Sequence, residues 1–205
     1  SLDGSIFTFD TAGRFLGTIG DDVLHRPCGL AVDREHARLL VVDSAAHQIV
    51  VFRLDGGLLE RVGARGSGPG EFNYPTNIAI DSRGRVYVSD SLNFRVQVFG
   101  PDLKPTHQIG RKGDLPGYFS QPKGIAVDRE DRLYVVDANF EAVQIFDSDG
   151  ALLMAFGEEG HGPGEFWLPA GLHIEAGGRL WVADSFNRRV QAFESLPAEG
   201  VFGGN

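Results

Sequence analysis

Two sets of carboxylates recur through the chain at an almost constant spacing. Asp33, Asp81, Asp128 and Glu175 form one set; Asp43, Asp90, Asp137 and Asp184 form the other. Acids arranged this way would suit general acid–base chemistry or calcium. A catalytic pair, however, needs two carboxylates in different environments so that their proton affinities separate. Positions equivalent by repeat share an environment, so these acids read as turn-forming residues that accept local backbone N–H bonds.

The six histidines are His25, His36, His47, His107, His161 and His173. None forms a two-histidine motif at metal-ligand spacing. His173 replaces the alanine of Ala31, Ala79 and Ala126, and His25 lies just before another copy of that segment. They are the candidate metal pair across a central channel, and channel-wall histidines are the plainer reading. No metal and no cofactor is therefore assigned. The loops Gly68-Pro69-Gly70-Glu71-Phe72 and Gly162-Pro163-Gly164-Glu165-Phe166 lack the Lys-Ser/Thr and following helix of a phosphate loop. Turn chemistry explains them, with Gly supplying positive φ and Pro fixing φ. The single cysteine, Cys28, excludes an internal disulfide and a cysteine-cluster metal site. It is expected to be a buried, inert thiol.

These residues are carried by a repeat. Pro27-Cys28-Gly29-Leu30-Ala31-Val32-Asp33 returns at Pro75, Pro122 and Pro169, with separations of 48, 47 and 47 residues. A second phrase follows each copy: Leu39–Asp43, Val86–Asp90, Leu133–Asp137 and Leu180–Asp184. A third ends on Phe52, Phe99, Phe146 and Phe193, and a weaker fourth follows a turn, as at Ala151–Phe156. All four segments are short, rich in β-branched and aromatic residues, and bounded by Gly, Pro, Asp or Ser, which is strand chemistry. Four short antiparallel strands at this period predict a β-propeller blade.

The phrases resemble NHL repeats: a Gly-Pro-Gly-Glu-Phe loop, Pro-x-Gly-Ile-Ala-Val-Asp, a Tyr-Val-x-Asp strand, and Asn-x-Arg before an apolar strand. The Asn-x-Arg element is present at Asn93-Phe94-Arg95 and Asn187-Arg188-Arg189 and lost at Ala46-His47-Gln48 and Phe140-Glu141-Ala142. The expected fold is all-β, with about four complete four-stranded antiparallel NHL-type blades plus a partial N-terminal blade. The resemblance implies an arc of a six-bladed propeller. One domain is expected over 1–205, with a partial blade at 1–20 and repeats near 27–66, 75–113, 122–160 and 169–205. The third-strand segment is present twice at the ends, at Ile6–Phe9 and Val190–Phe193, and Gly200-Val201-Phe202-Gly203 is read as a frayed fourth strand.

Net charge is −9 and the pI about 5.1, which disfavours the phosphate attraction behind nucleic-acid binding. No segment approaches the apolar length of a membrane span, and no signal peptide is visible. Resemblance to exported bacterial NHL propellers points to a periplasmic or extracellular location.

Function is expected where the repeats stop resembling each other. Strand alternation puts the loops leading into strand one and the hairpin loops between strands two and three on one face. The lead-in loops carry His25-Arg26, Asn73-Tyr74, Ser120-Gln121 and Trp167-Leu168. Exposed aromatics mixed with Arg are the composition of interaction hot spots. The candidate binding residues are Tyr74, Phe94, Arg95, Lys123, Trp167, Phe186, Arg188 and Arg189. Arg95 and Arg189 also read as within-blade partners of Asp90 and Asp184. The leading function is a non-catalytic scaffold that holds a protein or small ligand on this face. The resemblance also brings a metal-dependent lyase or hydrolase with a channel site (His25, His173, Tyr74). A third class is a single-stranded RNA binder, using Arg26, Lys123, Arg95, Arg188 and Arg189. Open blade edges leave self-association as a further partner class.

Overall fold

A computed structural model describes residues 4–194. It contains an N-terminal hairpin, β1 (Ile6–Phe9) and β2 (Phe15–Ile19), followed by a series of blades. Blade 1 is β3 (Pro27–Asp33), β4 (Arg38–Asp43), β5 (Gln48–Arg53) and β6 (Leu58–Val62). Blade 2 is β7 (Pro75–Ile80), β8 (Val86–Asp90), β9 (Arg95–Phe99) and β10 (Pro105–Ile109), with a 3₁₀ turn at Ser91–Asn93. Blade 3 is β11 (Pro122–Val127), β12 (Leu133–Asp137), β13 (Ala142–Phe146) and β14 (Leu152–Phe156). Blade 4 shows β15 (Gly171–Ile174), β16 (Leu180–Asp184) and β17 (Arg189–Phe193). Each sheet is an antiparallel meander in sequence order. The segment read as a frayed fourth strand, 200–203, lies outside the described residues. Among the described residues no helix is long and apolar enough to cross a membrane.

Alternation along the second strands explains why they are buried on both sides. Leu40 and Val42 of β4 meet Ile78, Val86 and Val88 of blade 2, whereas Leu39 and Val41 of the same strand join Ile6 and Ile19 of the N-terminal hairpin. Tyr87 of β8 turns the other way, into a cluster with Phe119, Ile125 and Val135. Blades 1, 2 and 3 thus each supply one wall of two interfaces, which is how a short sheet with two apolar faces becomes stable. The Phe of each glycine-rich loop closes the same interface. Phe72 packs on Phe99 at 5.8 Å, Phe119 on Phe146 at 5.6 Å, and Phe166 on Phe193 at 5.8 Å between ring centroids.

The inner strands approach more closely than side chains would permit. A Cβ on Gly124 would sit 2.7 Å from the Cα of Gly171, and one on Gly29 would sit 2.8 Å from the Cα of Asn77. Those are backbone atoms held in ladders and cannot yield cheaply. By contrast, a Cβ on Gly171 would meet only the Cβ of Ala183 at 4.0 Å. Gly124→Ala is therefore expected to cost about 1–3 kcal/mol, and Gly171→Ala less than about 0.5 kcal/mol. Urea unfolding of both variants checks this; equal costs would refute the close-approach account.

Among the described residues the two ends do not share a sheet: β1 and β2 pair with each other, and β15–β17 form a sheet of three described strands. Phe7, Phe9, Phe15 and Leu16 on the N-terminal hairpin stay exposed.

Candidate functional site

The acids at the ends of the second strands prove to be more than local turn formers. Asp43, Asp90, Asp137 and Asp184 are fully buried and reach 16–18 residues back to hold the lead-in loop of their own blade. Asp43 accepts the N–H groups of His25 (2.7 Å) and Arg26 (2.9 Å); Asp90 accepts that of Asn73 (2.7 Å). Asp137 accepts those of Ser120 (2.7 Å) and Gln121 (2.9 Å), and Asp184 that of Trp167 (2.8 Å). Hairpin and lead-in loops are also joined directly, by Ser44 N–H to Arg26 C=O at 3.0 Å and its counterparts Leu92 to Asn73, Ala138 to Gln121 and Phe186 to Trp167. Both loop sets therefore share one face, held on rigid supports.

Burial pushes Asp90 and Asp137 above the usual carboxylate range, against their donors. Burial pushes Asp43 and Asp184 the same way, but donors prevail and both lie below it. At Asp43 the donors are the loop N–H groups; at Asp184 they are Trp167 N–H, Asn187 and Arg189.

Arg95 and Arg189 lie within this support. Arg95 Nε donates to Asp90 at 2.9 Å, and its terminal nitrogens reach the carbonyls of Gly68 (2.9 Å) and Glu71 (3.0 Å). Arg189 repeats the pattern on Asp184 (2.7 Å), Gly162 (2.6 Å) and Glu165 (2.8 Å). The structure thus places both as clamps between a buried acid and the glycine-rich loop. Phe94 is half-buried, packs on the blade 2–blade 3 core, and carries Lys112 Nζ 5.0 Å from its ring centre.

Tyr74 and Lys123 are brought together. They line a cleft of about 270 Å³ on the loop face, built from matching positions of three consecutive blades. Blade 1 supplies Arg26, Cys28 and Ser44; blade 2 supplies Tyr74, Thr76, Ser91 and Leu92; blade 3 supplies Gln121 and Lys123. Nearly all of these residues stand immediately before or after the blade's first proline, or directly after its buried Asp. Cys28 is exposed here, contrary to the expectation of a buried thiol. The first-strand position faces the open centre, where no further layer covers it. Its Sγ lies 3.6 Å from Val42 O and 3.5 Å from Pro75 O, and crowding by the surrounding strands pushes the thiol pKa up.

A second group forms on blade 4. Trp167 and Phe186, both exposed, have ring centroids 5.4 Å apart, and His161 meets Trp167 edge-on at 5.3 Å. His161 Nδ1 lies 2.6 Å from Asn187 Oδ1, which fixes that imidazole. Arg188 is exposed beside them with φ of 54°. His47, Phe94 and Glu141 hold the same left-handed conformation at the matching hairpin positions. Its recurrence at all four hairpins marks it as the turn geometry of the blade. His161 was missed at the sequence level because it lies in the glycine-rich loop, far in sequence from Trp167's hairpin partner. Its signal was register: it matches Ser67 of the earlier loop.

His25 and His173 are both exposed, on blades 1 and 4. His25 Nδ1 lies 3.4 Å from Asp43. Among the described residues no group of three or more His, Cys, Asp or Glu is placed to hold a metal.

Radially packed antiparallel blades, each built from one NHL-type phrase, define a β-propeller. Residues 31–85 and 129–195 match the family described as 6-bladed beta-propeller, and the chain belongs to that family. Residues 72–99 also match the NHL repeat. No curated protein matches the chain. Among solved structures, it is similar to virginiamycin B lyase from Staphylococcus aureus, with a TM-score of 0.65 and 15% identity over 94% of this chain and 64% of that one. A gluconolactonase from Xanthomonas campestris gives 0.66 and 20%, over 96% and 70%. The WD40 propeller domain of Doa1 gives 0.70 and 11%, over 96% and 59%. At these identities the likeness is one of fold. The chain spans less than two thirds of the lyase's length.

Proposed function

We propose that this propeller is a non-catalytic binding scaffold whose loop face holds a partner protein, with the aromatic group on blade 4 as its anchor. The observation that carries this reading is the packed, exposed trio of His161, Trp167 and Phe186 beside Arg188. Large, rigid rings with a neighbouring guanidinium supply contact area at low entropic cost and are the residue types enriched at interface hot spots. The loops that present them are tied down by Asp184, so little ordering remains to be done on binding. The lyase and lactonase activities belong to the similar structures; the trio, rather than a convergent set of acid, base and nucleophile, supports binding here.

Trp167→Ala is expected to weaken partner capture by about 2 kcal/mol, or roughly 30-fold, and Phe186→Ala to act in the same direction. Neither should move the thermal midpoint appreciably, because both side chains are largely outside the interblade cores. The check is a quantitative pull-down from native extract, with Arg129→Ala on the opposite face as control. Undiminished capture by Trp167→Ala and Phe186→Ala together would reject the assignment.

A further inference from the structure

We propose that the cleft where blades 1, 2 and 3 meet binds a small hydroxylated carboxylate, its acid group held between Arg26 and Lys123. This site is separate from the aromatic group on blade 4, and neither proposal depends on the other.

Among the described residues neither Arg26 nor Lys123 has an ion pair, although 13 ion pairs are present, and most of the arginines are engaged in them. The cleft wall itself includes no Asp or Glu. The buried acids of the three blades, Asp43, Asp90 and Asp137, have oxygens committed to lead-in loop N–H groups. Two unpaired cations on a protein whose net charge is −9 make a local positive spot in a concave place. Such a place focuses the field on an incoming anion.

The remaining wall fixes the rest of the ligand. Ser44 and Ser91 are buried residues at the cleft wall, and Gln121 adds an amide. Hydroxyls and amides donate and accept, which suits ligand hydroxyl groups. Tyr74 and Leu92 supply an exposed apolar side for a carbon skeleton. A cleft of about 270 Å³ is at the small end of ligand pockets, so a single sugar-acid-sized molecule fits the chemistry. A guanidinium pairs with a planar carboxylate through two parallel N–H bonds, and the ammonium adds a point charge. On blade 4 the matching positions are Leu168, Ala170 and Ser185, so the two cations are a property of particular blades and not of the repeat.

Cys28, the only cysteine in the chain, is exposed in this wall and reports on it. The experiment alkylates the full chain with iodoacetate, which carries a carboxylate, or with neutral iodoacetamide. The ratio of the two rates cancels the thiol's own reactivity. At low salt that ratio is expected to exceed the ratio for free cysteine by about tenfold, and to fall towards it in Arg26→Gln and Lys123→Gln. Glucuronate should protect Cys28 saturably, and glucose, its neutral counterpart, should not. Phe186→Ala should leave this protection intact, which keeps the result separate from partner capture. A ratio equal to that of free cysteine would overturn the proposal. So would equal protection by glucose, or protection by inorganic phosphate without protection by glucuronate. Unchanged thermal midpoints in the two glutamine variants exclude misfolding as the cause of any loss.

Discussion

Arg95→Ala is expected to destabilise the protein by about 3–5 kcal/mol, several times more than Arg189→Ala. The two arginines share three bonds on blades 2 and 4 and differ only in the partner of Nη1, Gln108 Oε1 for Arg95 and the His161 carbonyl for Arg189, so a count of bonds would rank them equal. Burial separates them. The side chain of Arg95 is 8% exposed against 30% for Arg189, and both partner acids are fully covered. Truncating Arg95 removes the counter-charge of Asp90 and leaves it only the neutral donors Asn73 N–H, Asn93 and Gln97; the Gly68 carbonyl loses its donor from blade 2, and that of Glu71 keeps Gln97 alone. Water can enter beside Arg189 and replace much of what is lost. The large figure measures the cost of an orphaned charge, not the net worth of the pair, because desolvation offsets most of the Coulomb gain. Replacing Arg95 and Asp90 together by apolar residues should therefore cost less than Arg95→Ala alone. Chemical denaturation of these variants decides the point. Equal losses at Arg95 and Arg189 would show that burial does not control the effect.

Phe119→Ala is expected to cost about 3–5 kcal/mol. Its ring is fully buried between blades 2 and 3, against Phe146 and the cluster containing Tyr87, Val98 and Val135. Removing it leaves a cavity walled by strands that are already paired on both sides, so little collapse can repair it. A second consequence follows from the architecture. In a stacked array each unit is stabilised mainly by its neighbours. Weakening a central interface should broaden or split the unfolding transition, as well as lower its midpoint. Phe186→Ala, which truncates an exposed ring, should leave the transition sharp and within about 0.5 kcal/mol of the parent. A loss below about 1 kcal/mol at Phe119 would mean that the blades do not rely on this interface.

The recurring phrases made the blades legible in advance. The predicted third-strand segment Ile6–Phe9 is β1, and Val190–Phe193 falls within β17. The burial of Asp43 and its counterparts was less legible. Their recurrence pointed to turns, whereas their partners lie 16–18 residues away across a loop. Cys28 was misread because a small residue beside an apolar strand ordinarily packs inside. Here the first strand borders the centre of the array, and one of its sides has no neighbouring layer. Among the candidate residues, Tyr74 and Lys123 converge on one cleft, Trp167 and Phe186 on one aromatic group, and Arg95 is spent internally.

Periodicity alone therefore determined the class of fold, the strand positions and the face on which the loops gather. A strand's alternation and a turn's Gly and Pro act over a few residues, so their signal survives in a linear reading. Which polar groups remain free was decided only when the blades stacked. Arg26, Tyr74 and Lys123 become neighbours because three sheets share an axis, and Arg95 is withdrawn because the same stacking excludes water from Asp90. Both outcomes depend on distance and solvent access between residues far apart along the chain, and those quantities exist only in three dimensions.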